Sequence, residues 1–354
     1  VQTIHAGYAR VTGKLQNPME WTFLAPFARS VGGTWLDAFF PKNAIHRLHT
    51  VPARYIHDGS RRQTAFSQWR DYWAHAREGW RDASRQPGKS GIITCFPQLA
   101  LTTGLRKSIA RRRLPVVAWT FNIGVLPKGA GRRIAAFGLR FVDRVIVHSQ
   151  GELEAYSDWF DLPTSRLRFV PLQAPHREIT LEEDHAAPFL LAMGSARRDY
   201  SLLFDVLEQT GIPSLVVASP HAVAHLKRPP NIAIRSGLSE SECLDLLQRA
   251  RLHVIPIDNP LTASGQVTLL NSMMLGRPTV VTSSIGTVDY ARHDEEVLFI
   301  PPHDRAAMSE AIVRAWEDEG LRSRLGRQSR TTAISKFSDD AVAAVLHEVL
   351  SEFL

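Results

Sequence analysis

Three short stretches in the second half of the sequence carry residue types suited to holding an anion. The first, Gly194-Ser195-Ala196-Arg197-Arg198, follows the apolar run Phe189-Leu190-Leu191-Ala192-Met193 and precedes a helix-length segment. Glycine lets a backbone approach a ligand closely, and arginine offers paired N–H groups to phosphate oxygens. An ordinary loop with exposed arginines has the same composition. The second, Ser264-Gly265-Gln266-Val267, opens a helical pattern that stops at Gly276, just before Arg277-Pro278. Its Val267, Leu269, Leu270, Met273 and Met274 suit a largely buried helix. The free N–H groups and positive dipole end of such a helix can face an anion. The third, Ser283-Ser284-Ile285-Gly286-Thr287, is a small-residue loop after the apolar run 278–282. In an open α/β sheet, loops of this kind gather at the carboxyl ends of the strands, where ligands bind. Together the three stretches describe a cup for a diphosphate.

The elements that must position them repeat along the chain. Short β-branched runs at 91–95, 115–119, 144–148 and 166–170 form one set; runs at 188–193, 214–218, 231–235, 252–257, 278–282 and 297–300 form another. Helix-length segments such as 201–210 and 239–250 separate them. Strands alternating with helices predict parallel sheets, and two successive sets predict two doubly wound α/β domains. Between the sets, residues 171–187 hold Pro171, Pro175 and the acidic cluster Glu182-Glu183-Asp184 without apolar periodicity, as an interdomain linker would. Residues 1–90 carry Trp21, Trp35, Trp69, Trp73 and Trp80 but no strand-like run beyond 21–28, and are assigned to the N-terminal domain. The tryptophans suit a core, or a surface that stacks on a sugar.

The 354 residues are 44% hydrophobic and 22% charged, which fits two globular domains. The net charge is +7, and basic runs concentrate in the first half: Arg61-Arg62, Arg106-Lys107, Arg111-Arg112-Arg113 and Arg132-Arg133. A face of this kind is either simply solvated or attracts anionic partners, a membrane surface first among them. No zinc-finger spacing or Gly-aromatic motif accompanies the basic residues, which argues against nucleic acid. No Gly-x-Gly-x-x-Gly follows any predicted strand, which argues against a dinucleotide cofactor. No apolar run is long enough to span a bilayer, and the first residues lack the pattern of a secretory signal. Cys95 and Cys243 form no Cys-x-x-Cys pair, in keeping with a reducing compartment. The expected location is cytoplasmic, peripheral at the inner face of a membrane.

In order and spacing the second half resembles the retaining GT-B glycosyltransferases of family 4. Gly194 and Arg198 match the phosphate loop, and Ser236-Gly237-Leu238 with Glu240 matches the Gly-x-Leu-Ser segment near the base. Residues 264–278 match the helix ending Gly-Lys-Pro, Gly286 the glycine loop, and Pro301-Pro302-His303-Asp304 the closing turn. In the first half, Asp143-Arg144-Val145-Ile146-Val147-His148-Ser149 is similar to the strand before the linker. The resemblance covers about residues 90–340. It implies an α/β GT-B fold: two Rossmann-like doubly wound domains facing a central cleft, an acceptor-binding domain at 1–175 and a nucleotide-sugar-binding domain at 187–336. A helix in 337–354, with apolar Val342, Val345, Leu346, Val349, Leu350 and Phe353, crosses back onto the first domain.

The departures from the family pattern are as informative. The two glutamates of the family pair fall on Ala263 and Asn271, and the usual arginine after the loop glycine is Ser195. Asn271 can still hydrogen-bond hydroxyls, whereas Ala263 cannot replace a carboxylate. The Ser264, Gly265 and Gln266 turn resembles a subgroup in which that turn faces the pyrophosphate. The resemblance therefore implies a donor site of Gly194, Ser195, Arg197, Arg198, Ser236, Gly237, Leu238, Ser264, Gly265, Gln266, Val267 and Asn271. Arg198 and Gln266 are its candidates for catalytic work. On the acceptor side it implies Asn122, where members often carry His-Asp, and His148, for which a structural role is the stronger reading. It implies no metal and no cofactor beyond a nucleotide-diphosphate sugar as co-substrate: arginine and backbone N–H groups offset the leaving charge. The acceptor that the resemblance implies is a glycan or a lipid-linked molecule. A GT-B-like protein that binds a nucleotide sugar without turnover is the alternative.

Overall fold

The computed structural model describes residues 18–28, 30, 35–41, 44–56, 66–123, 126 and 128–354. The N-terminal stretch 1–17 and the Arg61-Arg62 pair lie outside the described residues. Two six-stranded sheets, with every neighbouring pair parallel, account for the alternation of apolar runs and helices.

The first sheet holds β1 (Met19–Leu24), β2 (His46–Thr50), β3 (Ser90–Cys95), β4 (Val116–Trp119), β5 (Arg144–Val147) and β6 (Leu167–Phe169), in the order β2-β1-β3-β4-β5-β6. Its crossovers are α1 (Phe66–Arg85), α2 (Pro97–Ser108), α3 (Gly129–Leu139) and α4 (Gly151–Phe160). Ile92, Val116, Ala118 and Val145 face these helices, in a core with Tyr72, Trp80, Leu99 and Phe160. Trp21, Phe23, Ile93, Val117 and Ile146 face the other way.

The second sheet holds β7 (Leu190–Met193), β8 (Ser214–Val217), β9 (Ile232–Arg235), β10 (Leu252–Ile255), β11 (Thr279–Thr282) and β12 (Leu298–Ile300), in the order β12-β11-β10-β7-β8-β9. Around it lie α5 (Tyr200–Thr210), α6 (Pro220–Val223), α7 (Glu240–Arg249), α8 (Gln266–Met274), α9 (Arg305–Glu317) and α10 (Glu319–Phe337). The strand order reverses between β7 and β10. That switch point lies between the loops that carry the first two sequence motifs.

The last helix, α11 (Asp339–Ser351), returns to the first sheet. Its Val342, Ala343, Leu346, Val349 and Leu350 are fully buried against Trp21, Phe23, Ile93 and Trp119. The linker is pinned at both ends of its path. Ala174 pairs with Ser338, Gln248 Oε1 accepts from the amides of Thr180 and Leu181, and Glu183 pairs with Arg251 at 2.7 Å. Among the described residues, no helix is long and apolar enough to cross a membrane.

Two features depart from the sequence reading. Strand β2, His46-Arg47-Leu48-His49-Thr50, has no apolar alternation and pairs only with β1, at the sheet edge. Its buried His46 accepts from Trp21 Nε1 at 3.2 Å and meets Ser351 of α11 at 3.1 Å, so distant contacts hold the strand in place. Val267, expected among the buried residues of its helix, is 63% exposed. It sits on the first turn of α8, beyond the reach of the sheet that buries Leu269, Leu270, Met273 and Met274.

Candidate functional site

The loop between β7 and α5 is stitched to the end of β10. Arg198 bridges to Ile257 through the backbone, the Asp258 amide donates to the Arg197 carbonyl at 3.2 Å, and the Asp199 amide to the Pro256 carbonyl at 3.1 Å. This pairing brings Arg198 beneath α8. Its Nε donates to Met193 O at 3.1 Å, Nη1 to Ala196 O at 2.9 Å and Nη2 to Thr268 Oγ1 at 3.1 Å. A guanidinium has five N–H groups. These three bonds fix its plane and leave N–H groups for an anion. Burial draws the Arg198 pKa below its ordinary value, against the opposing fields of Tyr200 and Asp258.

Gly194 makes the arrangement possible. Its φ is +113°, and a Cβ there would stand 2.8 Å from Arg198 Nη2. Its carbonyl accepts from Tyr200 Oη at 2.6 Å, and burial pushes that phenol up to about 12. The structure gives Ser195 a different neighbour, for its Oγ meets Ser219 Oγ at 2.8 Å and accepts from the Ser219 amide at 2.7 Å.

The start of α8 is the second component. Side chains cap α5, α7, α9, α10 and α11: Asp199, Ser239, Asp304, Asp318 and Ser338 accept from the first-turn amides. At α8 the cap position is Gly265, with φ +85° and no side-chain cap. Uncapped first-turn amides and the helix dipole attract an anion. Just before it, Ser264 Oγ is shielded from solvent and has no hydrogen-bond partner. Gly286 backs the same turn: a Cβ there would lie 2.5 Å from Ser264 N and 2.7 Å from Ser264 O. Thus the 283–287 loop and the 263–265 turn are in backbone contact, which only glycine at 286 permits.

The N-terminal domain closes against this turn. Asn122 Nδ2 donates to Ala263 O at 2.8 Å, and Ser149 Oγ donates to Ile285 O. The Gln150 amide, at the start of α4, donates to Asp289 Oδ2 at 2.8 Å. Gln266, which the resemblance directs toward the diphosphate, is 7% exposed and donates Nε2 across the interface to His148 O at 2.6 Å. Tyr290 Oη donates to the same carbonyl at 2.7 Å and accepts from the Leu172 amide at 2.9 Å. At His148 it is the backbone, not the ring, that joins the domains. Its ring is buried, with Nδ1 donating to Val170 O at 2.7 Å and the plane edge-on to Trp119. Burial lowers its pKa to about 4, so the ring is neutral at pH 7 and Nε2 carries a lone pair without a partner.

Asn271 lies one turn beyond Val267 on α8. Its Oδ1 accepts from Arg177 Nε at 3.1 Å, and Arg177 Nη2 pairs with Glu240 at 2.7 Å. Ser236 and Gly237 are exposed and Leu238 is half-buried just before α7. Of the predicted residues, Gly194 and Arg198 reach the first turn of α8, where Ser264, Gly265 and Gln266 stand. Asn271 is tied through Arg177 to Glu240, which follows Ser236, Gly237 and Leu238 in the chain. The closing turn is a structural element: Asp304 caps α9 and His303 meets Asp199 at 3.0 Å.

Sequence reasoning missed Arg177, Thr268 and Glu152. Arg177 lies in an aperiodic linker, and Thr268 becomes notable only once Arg198 reaches it. Glu152 is 4% exposed and accepts from Tyr156 Oη at 2.6 Å; Tyr156 Oη in turn accepts from the Ile123 amide at 3.1 Å, fixing the loop that carries Asn122. Burial raises the Glu152 pKa to about 7, with Asp289 of the other domain adding to the effect. At the switch point of the first sheet, between β1 and β3, Phe27 is 50% exposed and edge-on to Phe96.

Comparison with known proteins agrees with this fold. A family model described as glycosyl transferases group 1 matches residues 213–318, from β8 to the end of α9. O-antigen chain mannosyltransferase C of Escherichia coli is 27% identical over 162 residues, which are 43% of this chain and 43% of that protein. The match thus spans less than half of that relative. A glycosyltransferase structure from Rickettsia africae ESF-5 is similar with a TM-score of 0.67 at 12% identity, covering 96% of this chain and 99% of that one. HepE of Anabaena, solved in complex with UDP-glucose, is similar with a TM-score of 0.66 at 14% identity, covering 94% of this chain and 99% of that one. The chain has the two-domain GT-B fold on which those glycosyltransferases are built.

Proposed function

We propose that this chain is a retaining, metal-independent glycosyltransferase. It moves a hexose from a UDP- or GDP-sugar to a lipid-linked or polysaccharide acceptor in cell-surface glycan synthesis. One observation carries the reading. A half-buried arginine with N–H groups to spare, an uncapped helix start and an unpartnered buried hydroxyl meet at the switch point of the second sheet, beside the other domain. That is what a diphosphate needs: positive charge and preorganised donors at the edge of a cleft. The glycosyl transferases group 1 match and the UDP-glucose complex of HepE support a nucleotide sugar as the ligand.

In this reading the diphosphate lies against Arg198 and the amides of the α8 first turn, with Arg197 at the rim. Asn271 and Arg177 hold the nucleoside end beside Ser236, Gly237 and Leu238. Gln266 works by holding the domains together at the reacting centre. The acceptor hydroxyl approaches from the side of Asn122 and His148 and bonds to the anomeric carbon on the face that the leaving diphosphate occupies. The carbon–oxygen bond to the diphosphate breaks, and the hydroxyl proton passes to a diphosphate oxygen. No protein carboxylate pair is required, which makes Ala263 tolerable. An anionic membrane surface against the basic N-terminal half belongs to the same reading, at the inner face of a membrane.

A second reading rests on Ala263 itself. It is 6% exposed and offers only its carbonyl, which Asn122 already engages. A protein that binds a nucleotide sugar without turnover would tolerate the same residue.

Thermal melting with UDP, GDP, UDP-glucose and GDP-mannose, followed by assay of sugar transfer and donor hydrolysis, separates these readings. Stabilisation by one nucleotide family with measurable turnover is expected, because a ligand bound only by the native state raises its stability. Binding without either reaction favours the second reading, and no stabilisation by any of the four rejects both. Arg198→Ala is expected to weaken diphosphate binding by about tenfold or more, the scale of charge-assisted hydrogen bonds. Arg198→Lys, which keeps the charge and loses the fork, should fall between. Unchanged affinity in Arg198→Ala would remove the phosphate-loop assignment.

A further inference from the structure

From Ala83 to Val142 the chain contains no aspartate or glutamate, yet it holds Arg85, Lys89, Arg106, Lys107, Arg111, Arg112, Arg113, Lys128, Arg132, Arg133 and Arg140. The fold sorts these cations. Lys107 is buried and paired with Asp143, and Arg112 turns back onto the carbonyls of Ser84 and Gly88. Arg85 ends α1 and Lys89 precedes β3, whereas exposed Arg111 and Arg113 follow α2 and Lys128, Arg132, Arg133 and Arg140 lie along α3 or at its ends. Every residue from Lys128 to Ile134 is exposed, as are Phe137 and Arg140.

The outer face of α3 is not simply basic. Ile134 is 54% exposed and Phe137 51%, and Phe137 lies edge-on to Phe141 at 5.4 Å. Positions 130, 134, 137 and 141 recur at helical spacing, so Ala130, Ile134, Phe137 and Phe141 form one stripe, with Arg133 and Arg140 beside it. The neighbouring α2 lies unusually close. Gly104 and Gly138 let the two helices touch, since a Cβ on Gly104 would stand 2.2 Å from Gly138 O. Ile109, at the end of α2, is 68% exposed. On the other flank Arg132 lies over the Trp159 ring at 4.8 Å. Among the described residues, Arg140 pairs with Asp161, whereas Lys128, Arg111, Arg113 and Arg133 have no carboxylate within ion-pair distance.

We infer that the α3 face, with the end of α2, is a docking surface for an anionic lipid membrane. Protruding aliphatic and aromatic side chains, ringed by arginines in an acid-free stretch, match the boundary between acyl chains and anionic headgroups. A nucleic-acid surface would be served by the arginines but not by Ile134 and Ile109, which have no role on a phosphate backbone. The inference deepens the proposed membrane contact by naming its surface, and rests on that reading only for its purpose. Because α3 begins where the loop leaving β4 ends, docking along it sets the Asn122 side of the cleft next to the lipid. A lipid-carried acceptor would then enter without leaving the bilayer surface.

Co-sedimentation of the full chain with vesicles tests this. Phosphatidylcholine vesicles serve as the neutral probe, and phosphatidylcholine mixed with phosphatidylglycerol as the anionic one. The wild-type chain is expected to pellet with the anionic vesicles and not with the neutral ones. The double change Ile134→Asp and Phe137→Asp should weaken that binding by about tenfold or more, and Arg133→Glu by about fivefold or more. Both sets of side chains are exposed, so melting temperature and the shift produced by UDP-glucose should match wild type. That second readout keeps failure of the donor site distinct from failure of the docking face. Absence of pelleting with anionic vesicles overturns the inference, as does pelleting unchanged by the apolar double variant. Loss with Arg133→Glu alone, together with retention of homopolymer RNA by wild type, would also overturn it and make the face a polyanion site.

Discussion

The two halves of the molecule share an architecture but begin their helices in opposite ways. In the second half, α5, α7, α9, α10 and α11 are each capped by a local aspartate or serine, and α8 alone among its helices of eight or more residues is not. In the first half, α2, α3 and α4 have no side-chain cap of their own. The amide that opens α4 is instead satisfied by Asp289 from the other domain. A helix capped by its own sequence is complete before the domains meet. One capped across an interface depends on closure, and one left uncapped at a switch point is open to a ligand. The difference separates parts that build a domain from parts that work between domains.

Replacing the glycine at the loop contact should give the largest effect. Gly286→Ala drives a Cβ into the backbone of Ser264, and about 3 kcal/mol is expected from overpacking of this kind. Melting and UDP titration should show lower stability and weaker nucleotide binding together. A variant that melts and binds like wild type would show that the two loops do not act as one unit.

A pH profile tests whether the interface is linked to ionisation. Glu152 is raised to about 7, chiefly by burial, from an unfolded value near 4.5. The fold therefore favours the protonated form. The associated stability is complete below about pH 4.5 and is lost as pH rises through about 7. The wild-type melting temperature should carry this decline between about pH 5 and about pH 8, and Glu152→Gln should remove it. His46 and His148, both lowered to about 4 mainly by burial, act on the acid side: their contribution is present above about pH 6.5 and is lost as pH falls through about 4. A Glu152→Gln profile identical to wild type would break the link.

The cross-domain cap should matter less. Asp289→Ala is expected to cost about 1 kcal/mol, the usual worth of an N-terminal acceptor, while leaving the second domain intact. Calorimetry should show it as reduced coupling between the two domains; an unaltered endotherm would make the contact incidental. The smallest effect belongs to a local cap. Ser239→Ala removes the capping box with Glu242 and should cost about 0.5 kcal/mol at this exposed site. Lys128→Ala, at a cap position with no side-chain bond, should leave the melting temperature unmoved. Equal losses at the two positions would erase the contrast between the halves.

The same contrast explains what was legible. The strands from β3 onward, the edge strand β6 apart, each stand on a short, largely apolar run, because a parallel strand buried on both faces must be apolar along its length. The capping signals of the second half, such as Ser239 with Glu242, are written within four residues. The strand β2 has no such signature: its His46 is held by Trp21 and by Ser351, the latter 305 positions away. At the site, glycines 194, 265 and 286 were visible as punctuation. That 286 is a glycine because another loop's backbone lies against it was not. Arg177 gave no signal, since nothing local distinguishes a linker arginine that reaches Asn271 and Glu240 from one in solvent.

By itself, then, the sequence determined the alternation of strand and helix, the two parallel sheets and the glycine and arginine content of the loops between 194 and 287. These follow from periodicity and backbone freedom, which act over a few residues. Only the tertiary structure decided that Arg198 lies under α8 against Thr268, that Gln266 joins the domains through His148 O, and that Val267 stands in the open. A side chain's partner is set by what another part of the chain brings within about 3 Å, and no local pattern encodes that distance. The same holds for α3. Its arginines were plain in the sequence, but the exposed Ile134 and Phe137 between them became a surface only when α2 and α4 packed on its flanks and left the outer face uncovered.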